Sequence, residues 1–572
     1  MDDVFFPNNG LLVDNSAFAS YPYWSYFTVY QGLVAANVTS QFKQSIYQYL
    51  PALASNWTVS ANGTVYTFNL RQNVAYSNGD PFNAYQVWTD MYNYYLTAGN
   101  SSTWWGGYPL FDMSHVIYGP ATLSLINSSG LANPSTQVLS IMKNSSWPIF
   151  VTGPNQIVFH QLGDNTVLLP SLSTGTPFME LPDAQWILAN GGPGSATSPN
   201  QFLTTNAAPG TGPYVISGYQ INAYVKYTQN PNYWGRSLSA AQIASNPLLD
   251  PGHYQTVFIY YKSDDVSRYI ELSQGTVQIG TVGLSTWNQV TANPSLSIVL
   301  APPAANTVGP IALNTKQYPT NITAVRQAIV HAINYQNLIN KTYNGYATAT
   351  VPPEFNSYPS FYDLGNYAPY QYNMSLAKKD LAGIDLSKFP TLNIGTRADC
   401  LACITASEAI QSDLQAIGIS STIQVWTVPQ FFTLYGSYSY NLSHNTTIPQ
   451  ISVAINPTWQ PFVNVPADPW ISFTSNGSFF GNYAMYSTPN TQACISSFLV
   501  TTNTSQIQSV CSKAQADVYN DAPYIFFTNR LWDGAAGTIA WRKDLISSFS
   551  LDPAWGTVTL LPVFNTVVPA SK

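Results

Sequence analysis

Charge is the scarcest property of this chain. Asp, Glu, Lys and Arg make up 8% of its 572 residues, against about 25% in an ordinary soluble protein. Histidine occurs five times, at His115, His160, His253, His331 and His444. None lies in an H-E-x-x-H pattern, and the sequence holds no G-x-S-x-G elbow and no phosphate-binding G-x-x-x-x-G-K-S/T loop, so these common catalytic signatures are missing. His331, in "AIVHAI", reads as a packed or half-exposed helix residue. The adjacent Asp264 and Asp265 point different ways on a helix and read as a cap, not a catalytic dyad. Paired carboxylates for glycoside hydrolysis leave no local pattern, so an extracellular hydrolase stands as the remote alternative to a non-enzyme. No run of eighteen apolar residues is present, which excludes a membrane-spanning helix. The opening "MDDVFFPNNG" has neither the basic nor the long apolar region of a signal peptide. The expectation is a chain whose leader has been removed, with Met1 added and any membrane anchor cut away. No linker, charge block, low-complexity tract or internal repeat marks a boundary.

What the chain has instead is apolar and neutral polar residues. Hydrophobic content is 45% and aromatic content 14%, enough to build cores and to exclude disorder. At this length several domains are expected. The surface must then be made of Asn, Gln, Ser, Thr and Tyr. Two environments explain such a surface. Below about pH 3 carboxylates are protonated, so surface ion pairs fail and neutral amides and hydroxyls serve better; the expectation is an acidophile's protein. The other explanation is a heavily glycosylated coat. Both put the protein outside the cell, at the cell surface, and the net charge of −7 argues against a nucleic-acid partner. Asn-x-Ser/Thr sequons occur at Asn37, Asn56, Asn62, Asn100, Asn127, Asn144, Asn321, Asn340, Asn373, Asn441, Asn445, Asn476 and Asn503. The four cysteines fall as near pairs, Cys400 with Cys403 in "CLAC" and Cys494 with Cys511 across two expected consecutive helices. In an extracellular chain an even count favours disulfides; free thiols and a metal or redox site are the alternatives.

Periodicity indicates an α/β chain. In "TVYTFNLR", Tyr66, Phe68 and Leu70 alternate with polar residues as in a half-buried strand. "SNGDP" is a turn, and Asn83 with Gln86 forms an amide version of the capping box ahead of a helix burying Ala84, Val87, Trp88, Met91 and Tyr95. "GTGPYVISGYQINAYVKYTQNPNYWG", 210–235, reads as a turn followed by two strands. "DDVSRYIELSQGTVQIG", 264–280, reads as helix, Gly turn and strand. One long helix is expected over 322–343, capped by Thr323. Strand, helix and strand over 390–428 form a βαβ-like unit, and 519–530 is a buried strand.

These segments, in this order, resemble the family 5 extracellular solute-binding proteins of ABC transporters, which include oligopeptide-, dipeptide-, nickel- and cellobiose-binding members. The resemblance covers most of the chain. Its blocks are Leu53 to Val87; "GTGPY" at Gly210 to Tyr214 with "NPNYWG" at Asn230 to Gly235; "LSQGTVQIG" from Leu272; Ala312 to Asn334; and "DAPYIFF" from Asp521. Two positions depart, with Gln86 and Gln278 where the family commonly has acids. The fold implied is α/β, two-lobed and periplasmic-binding-protein-like (type II, cluster C), closing like a Venus flytrap on a ligand cleft between lobes. Lobe I would comprise 1–37, 166–268 and 522–572, an extra N-terminal subdomain 38–165, and the other lobe 269–521.

The resemblance implies a monomeric receptor without catalytic groups, metal or cofactor, which hands its ligand to ABC permease subunits. Peptide binders of the family fix the ligand ammonium with an Asp shortly after a Trp. Here Trp459 matches the Trp, but Phe462 stands at the Asp position and the nearest acid is Asp468. An oligopeptide is the expected ligand. An oligosaccharide is the alternative, because sugar faces stack on aromatics such as Trp459, Trp470, Tyr21, Tyr23 and Trp24. Phe526 and Phe527 sit in a strand whose family counterpart reaches the cleft, with core packing as their other reading.

Overall fold

Strands are numbered along the chain from β1 (Asp2–Asp3). The alternating segment Val65–Leu70 is β3, and it buries Tyr66, Phe68 and Leu70. It pairs antiparallel with β2 (Ala54–Val59) and with β5 (Gln156–His160), which in turn pairs with β4 (Ile149–Gly153). Helix α1 (Ala84–Thr97) lies against this sheet, with Trp88 Nε1 and Tyr92 Oη both donating to the Ile149 carbonyl at 3.0 and 2.9 Å. Asn83 Oδ1 caps the helix by accepting from the Tyr85 and Gln86 amides. The other half of the expected capping box is not made. The Gln86 side chain instead donates to Asp183 and accepts from the Gln185 amide, because α1 is buried nearly all round and a neighbouring segment competes for the amide.

The computed structural model describes residues 2–3, 28–37, 48–97, 103–104, 108–174, 180–195, 198–221, 223–262, 264–299, 311–351, 367–398, 400–427, 430–431, 452–455, 473, 482–529, 538–551 and 562–571. The chain divides into two units. The first contains Met1–Val282, Asn288–Ile298 and Ile539–Lys572. Besides the four-stranded sheet and the short helix α2 (Ala184–Ala189), it has a seven-stranded sheet. The order is β6 (Tyr214–Gln220), β7 (Tyr224–Gln229), β8 (Thr256–Tyr261), β1, β9 (Ile279–Val282), the strand Thr538–Arg542, and β10 (Leu296–Val299). Helix α3 (Asp265–Gln274) leads into β9; Asp264 caps it by accepting from the Ser267 amide, and Gly275 at φ 76° ends it.

The second unit contains Gly283–Trp287 and Val299–Thr538. Its six-stranded sheet runs β12 (Ala347–Thr350), β16 (Tyr524–Asn529), β11 (Ile311–Leu313), β15 (Val453–Ile455), β13 (Leu392–Arg397), β14 (Ser421–Trp426). The single helix expected over 322–343 is two, α4 (Thr323–Ala332) and α5 (Tyr335–Tyr343). The break comes at Asn334, whose side chain caps α5 through the Asn337 amide and whose own amide donates to Asp413 at 2.9 Å. Thr323 is the first residue of α4 and not its cap, which is Ile322. His331 Nδ1 lies 2.8 Å from Asp380 in α6 (Met374–Asp380). Helix α7 (Leu401–Ala416) joins β13 to β14, and α8 (Pro489–Val500) precedes α9 (Thr504–Asp521). Disulfides link Cys400 to Cys403 and Cys494 to Cys511, the latter joining α8 to α9.

The chain passes between the units after Val282 and before Ile539, where crossings near 268 and 521 were the expectation. β9 pairs with β1 (Asp2 opposite Gly280), so the chain stays in the first unit through Val282. β16 pairs with β11 and β12, which keeps 524–529 in the second unit until the return at Ile539. Segment 38–165, expected as an extra subdomain, falls within the first unit.

The "GTGPY" block shows why glycine is needed there. The Gly212 amide donates to the Val29 carbonyl, and the two backbones touch. A Cβ on Gly210 would lie 1.9 Å from the Val29 carbonyl oxygen, and one on Gly212 2.5 Å from that of Thr28. Backbone cannot yield as a side-chain tip can. Gly210→Ala is therefore expected to destabilise the first unit by about 3 kcal/mol or more, read as a lower urea midpoint.

Candidate functional site

In sheets with parallel strands, ligands bind beyond the C-terminal strand ends. β13 runs parallel to β14 and β15, while β11 is antiparallel to both β15 and β16. β13, β14, β15 and β16 therefore all end at one edge of the second unit's sheet, at Arg397, Trp426, Ile455 and Asn529. β11 and β12 begin there, with Ile311 opposite Ile455 and Ala347 opposite Asn529.

Arg397 closes β13 at this edge and is 7% exposed. Three residues on, Cys400 caps α7 by accepting from the Cys403 amide, and the Cys400–Cys403 disulfide ties the first helical turn. Both cysteines are buried, so the pair works as a staple. Tyr346, immediately before β12, meets Trp287 edge to face at 5.4 Å. The chain leaves β15 four residues before Trp459.

Trp459, Asp468 and Trp470 lie outside the described residues, as do Tyr21, Tyr23 and Trp24. Phe526 and Phe527 are described, and both are buried. Phe527 packs in the second unit's core with its ring 5.9 Å from Tyr335, and Phe526 stacks on Tyr524 at 5.5 Å. Arg397 was not singled out from the sequence. The signal was an arginine ending the first strand of a βαβ unit in a chain with 19 basic residues.

Arg326 and Asp521 of this unit serve the scaffold. Arg326 donates to the Asp521 and Thr320 carbonyls and to Thr323 Oγ1 at 2.7, 2.8 and 3.0 Å. Burial pulls its pKa down, with the Asp521 carboxylate opposing. Tyr486 Oη donates to Asp521 at 2.6 Å, and burial raises its pKa well above the phenolic range. Among the described residues no group of three or more His, Cys, Asp or Glu side chains could hold a metal ion, and no helix is long and apolar enough to cross a membrane. A cavity of about 210 Å3 in the first unit, lined by Tyr254, Phe258, Gln278 and Phe564 among others, has no charged side chain in its wall.

Mixed helix and sheet in two units, with the chain passing between them more than once, define a two-lobed periplasmic-binding-protein fold. The chain belongs to the bacterial extracellular solute-binding proteins, family 5: the sequence model described as that family's "Middle" matches residues 48–466. The nickel-binding periplasmic protein of Escherichia coli K12 is 26% identical over 385 residues, which are 64% of this chain and 62% of that protein. The chain spans less than two thirds of the length of the first curated relatives it matches. Among solved structures, a dipeptide-binding protein from Pseudoalteromonas sp. SM9913 in complex with Met-Leu superposes with a TM-score of 0.68 at 17% identity, covering 95% of this chain and 94% of that one. A periplasmic oligopeptide-binding protein from Borrelia burgdorferi gives 0.70 at 14% identity, covering 100% and 99%.

Deleting a buried aromatic ring from a packed core costs about 3–5 kcal/mol. Phe527→Ala should lower the unfolding free energy by that amount, as measured by urea titration of the unliganded protein.

Proposed function

We propose that the chain is the extracellular solute receptor of an ABC importer, capturing oligopeptides and delivering them to a membrane permease. The observation that carries this reading is the edge of the second unit's sheet, where four strand ends and the buried Arg397 lie together. A guanidinium recognises a carboxylate through paired charge-assisted hydrogen bonds, and an extended peptide is read by main-chain groups of strands. Arg397 is the residue we assign to the peptide's carboxyl end. Relatives named as di/tripeptide-binding proteins support a peptide. Family members without a chemical step need no catalytic group, in keeping with a non-enzyme. An oligosaccharide is the second reading, favoured by Trp287 and Tyr346 beside the same edge.

The test is a thermal-shift screen at pH 3 and pH 6 on unfolded and refolded protein, with mixed oligopeptides and a panel of oligosaccharides. A ligand at a hundred times its Kd adds about 2.7 kcal/mol. The expected result is a shift with peptides only, and Arg397→Gln weakens peptide binding by roughly 10- to 100-fold. A shift with sugars only moves the assignment to the second reading, and no shift with either overturns both.

An extracellular, glycosylated surface is part of the same proposal. The sequon residues Asn56, Asn62, Asn127, Asn144, Asn321, Asn340, Asn373 and Asn503 are exposed and Asn37 is half-buried. The buried asparagines, such as Asn83, Asn165, Asn230 and Asn565, lie outside sequons. When the chain is secreted from an N-glycosylating host, peptide mass spectrometry should find glycans at Asn127 and Asn144, and an intact mass above 62.6 kDa.

A further inference from the structure

One amide serves two carboxyl groups in the first unit. Asn78 Nδ2 donates to Asp80 Oδ2 and to Asp183 Oδ2, each at 2.8 Å. Asp80 belongs to the turn before α1, and Asp183 is the N-cap of α2. Asp183 Oδ1 accepts from the Trp186 amide and from Gln86 Nε2 of α1, each at 3.1 Å. The Asp80 and Asp183 carboxyl groups thus meet on one amide nitrogen. Two carboxyl groups gathered on one donor, with Asp183 buried, are costly to hold ionised together, and a proton on Asp183 relieves that cost.

Asp90, one turn beyond Gln86 on α1, is 6% exposed, and its Oδ2 has no hydrogen-bond partner among the described residues. The titratable groups facing these acids are Tyr76 and Asp80 from the turn, Asp90 from α1, and Tyr118, which faces Asp90. Among the described residues no Lys, Arg or His acts on Asp90 or Asp183.

We propose that Asp80, Asp90 and Asp183 form a proton-held clasp that fastens the turn, α1 and α2 of the first unit in acid and loosens them toward neutrality. Burial, with the Asp80 carboxyl beside it, pushes Asp183 up to about 6. Burial, with Asp183 beside it, pushes Asp90 well above the usual carboxyl range. A group whose pKa is higher in the folded chain holds a proton that the unfolded chain has released. Its contribution is complete below the unfolded value near pH 4 and is lost as pH rises through about 6. The clasp lies on residues separate from the proposed ligand edge and holds whatever the ligand is.

The test is the urea midpoint of the full chain from pH 3 to pH 7.5, for the unsubstituted protein, Asp90→Asn, Asp183→Asn and the surface control Asp544→Asn. Asn can still cap α2 at position 183. The unsubstituted protein should weaken with rising pH, its unfolding constant growing between pH 4 and pH 6 by about tenfold per pH unit for each carboxyl that keeps its proton in the folded chain. Asp90→Asn and Asp183→Asn flatten that rise, and Asp544→Asn parallels the unsubstituted protein from pH 5 upward. Glu180, buried beside Tyr30 and also pushed up by burial, adds slope of the same sign, so the difference between Asp183→Asn and the unsubstituted protein is the decisive reading. Should the variants not fold, hydrogen exchange on the unsubstituted protein decides. Corrected for intrinsic rate, the Gln86 and Trp186 amides should exchange at least tenfold faster at pH 7 than at pH 4, with β13 amides unchanged. A midpoint at pH 7 equal to that at pH 4, a slope unaltered by Asp183→Asn, or equal exchange at both sites overturns the proposal.

Discussion

Uncharged amides hold this molecule at its corners. Asn83 caps α1 with its oxygen and reaches the Leu131 carbonyl with its nitrogen. Asn230 donates to the Gly212 carbonyl and accepts from the Asn232 amide, fixing the strand junction behind "GTGPY". Asn482 brackets Tyr486 through both main-chain groups, and Asn565 ties the C-terminal strand to the Asp250 carbonyl. A side-chain amide offers a donor and an acceptor with no charge, so it can be buried at far lower cost than an ion. Its bonds also do not change with pH. A chain with few charges can build its turns this way in any medium from strong acid to neutrality.

The charges that remain are placed for main-chain work. Arg268 donates to the Thr281 and Lys262 carbonyls and pairs with Asp265, much as Arg326 holds the turn into β16. Arg397 differs in position, since it ends a parallel strand where such sheets receive ligands. The buried acids of the first unit differ in another way. Among the described residues they have no cation opposite them, which is costly for an ion and mild for a protonated carboxyl. Gln86 fits this picture, because an acid there would set a third carboxylate against Asp183. The low charge of the sequence and the acid-favouring clasp thus express one physical preference.

Much of the local structure could be read in advance. Period-two alternation located β3, β6 and β7, because a half-buried strand must put apolar side chains on one face. The Asp264 cap and the Gly275 stop of α3 were equally local, since both depend on backbone geometry a few residues wide. The break between α4 and α5 was not legible. Each half is a good helix, and what parts them is an Asp413 carboxylate from α7 receiving the Asn334 amide. The same holds for Gln86, whose second bond goes to Asp183 and not to its own helix start. Of the candidate site, the resemblance pointed to Trp459, which lies outside the described residues, whereas Arg397 became notable only as the end of β13.

By itself the sequence determined the α/β class, the family, the neutral surface and the near-neighbour cysteine pairs, all of which follow from composition, short periods and short loops. Tertiary structure alone decided where the units divide, because strands far apart in the chain, β1 with β9 and β11 with β16, had to meet before a boundary existed. It alone decided that Phe527 is core and that Arg397 stands at a four-strand edge. It also brought Asp80 and Asp183 onto one amide, that of Asn78, a contact between segments about a hundred residues apart that no local pattern encodes.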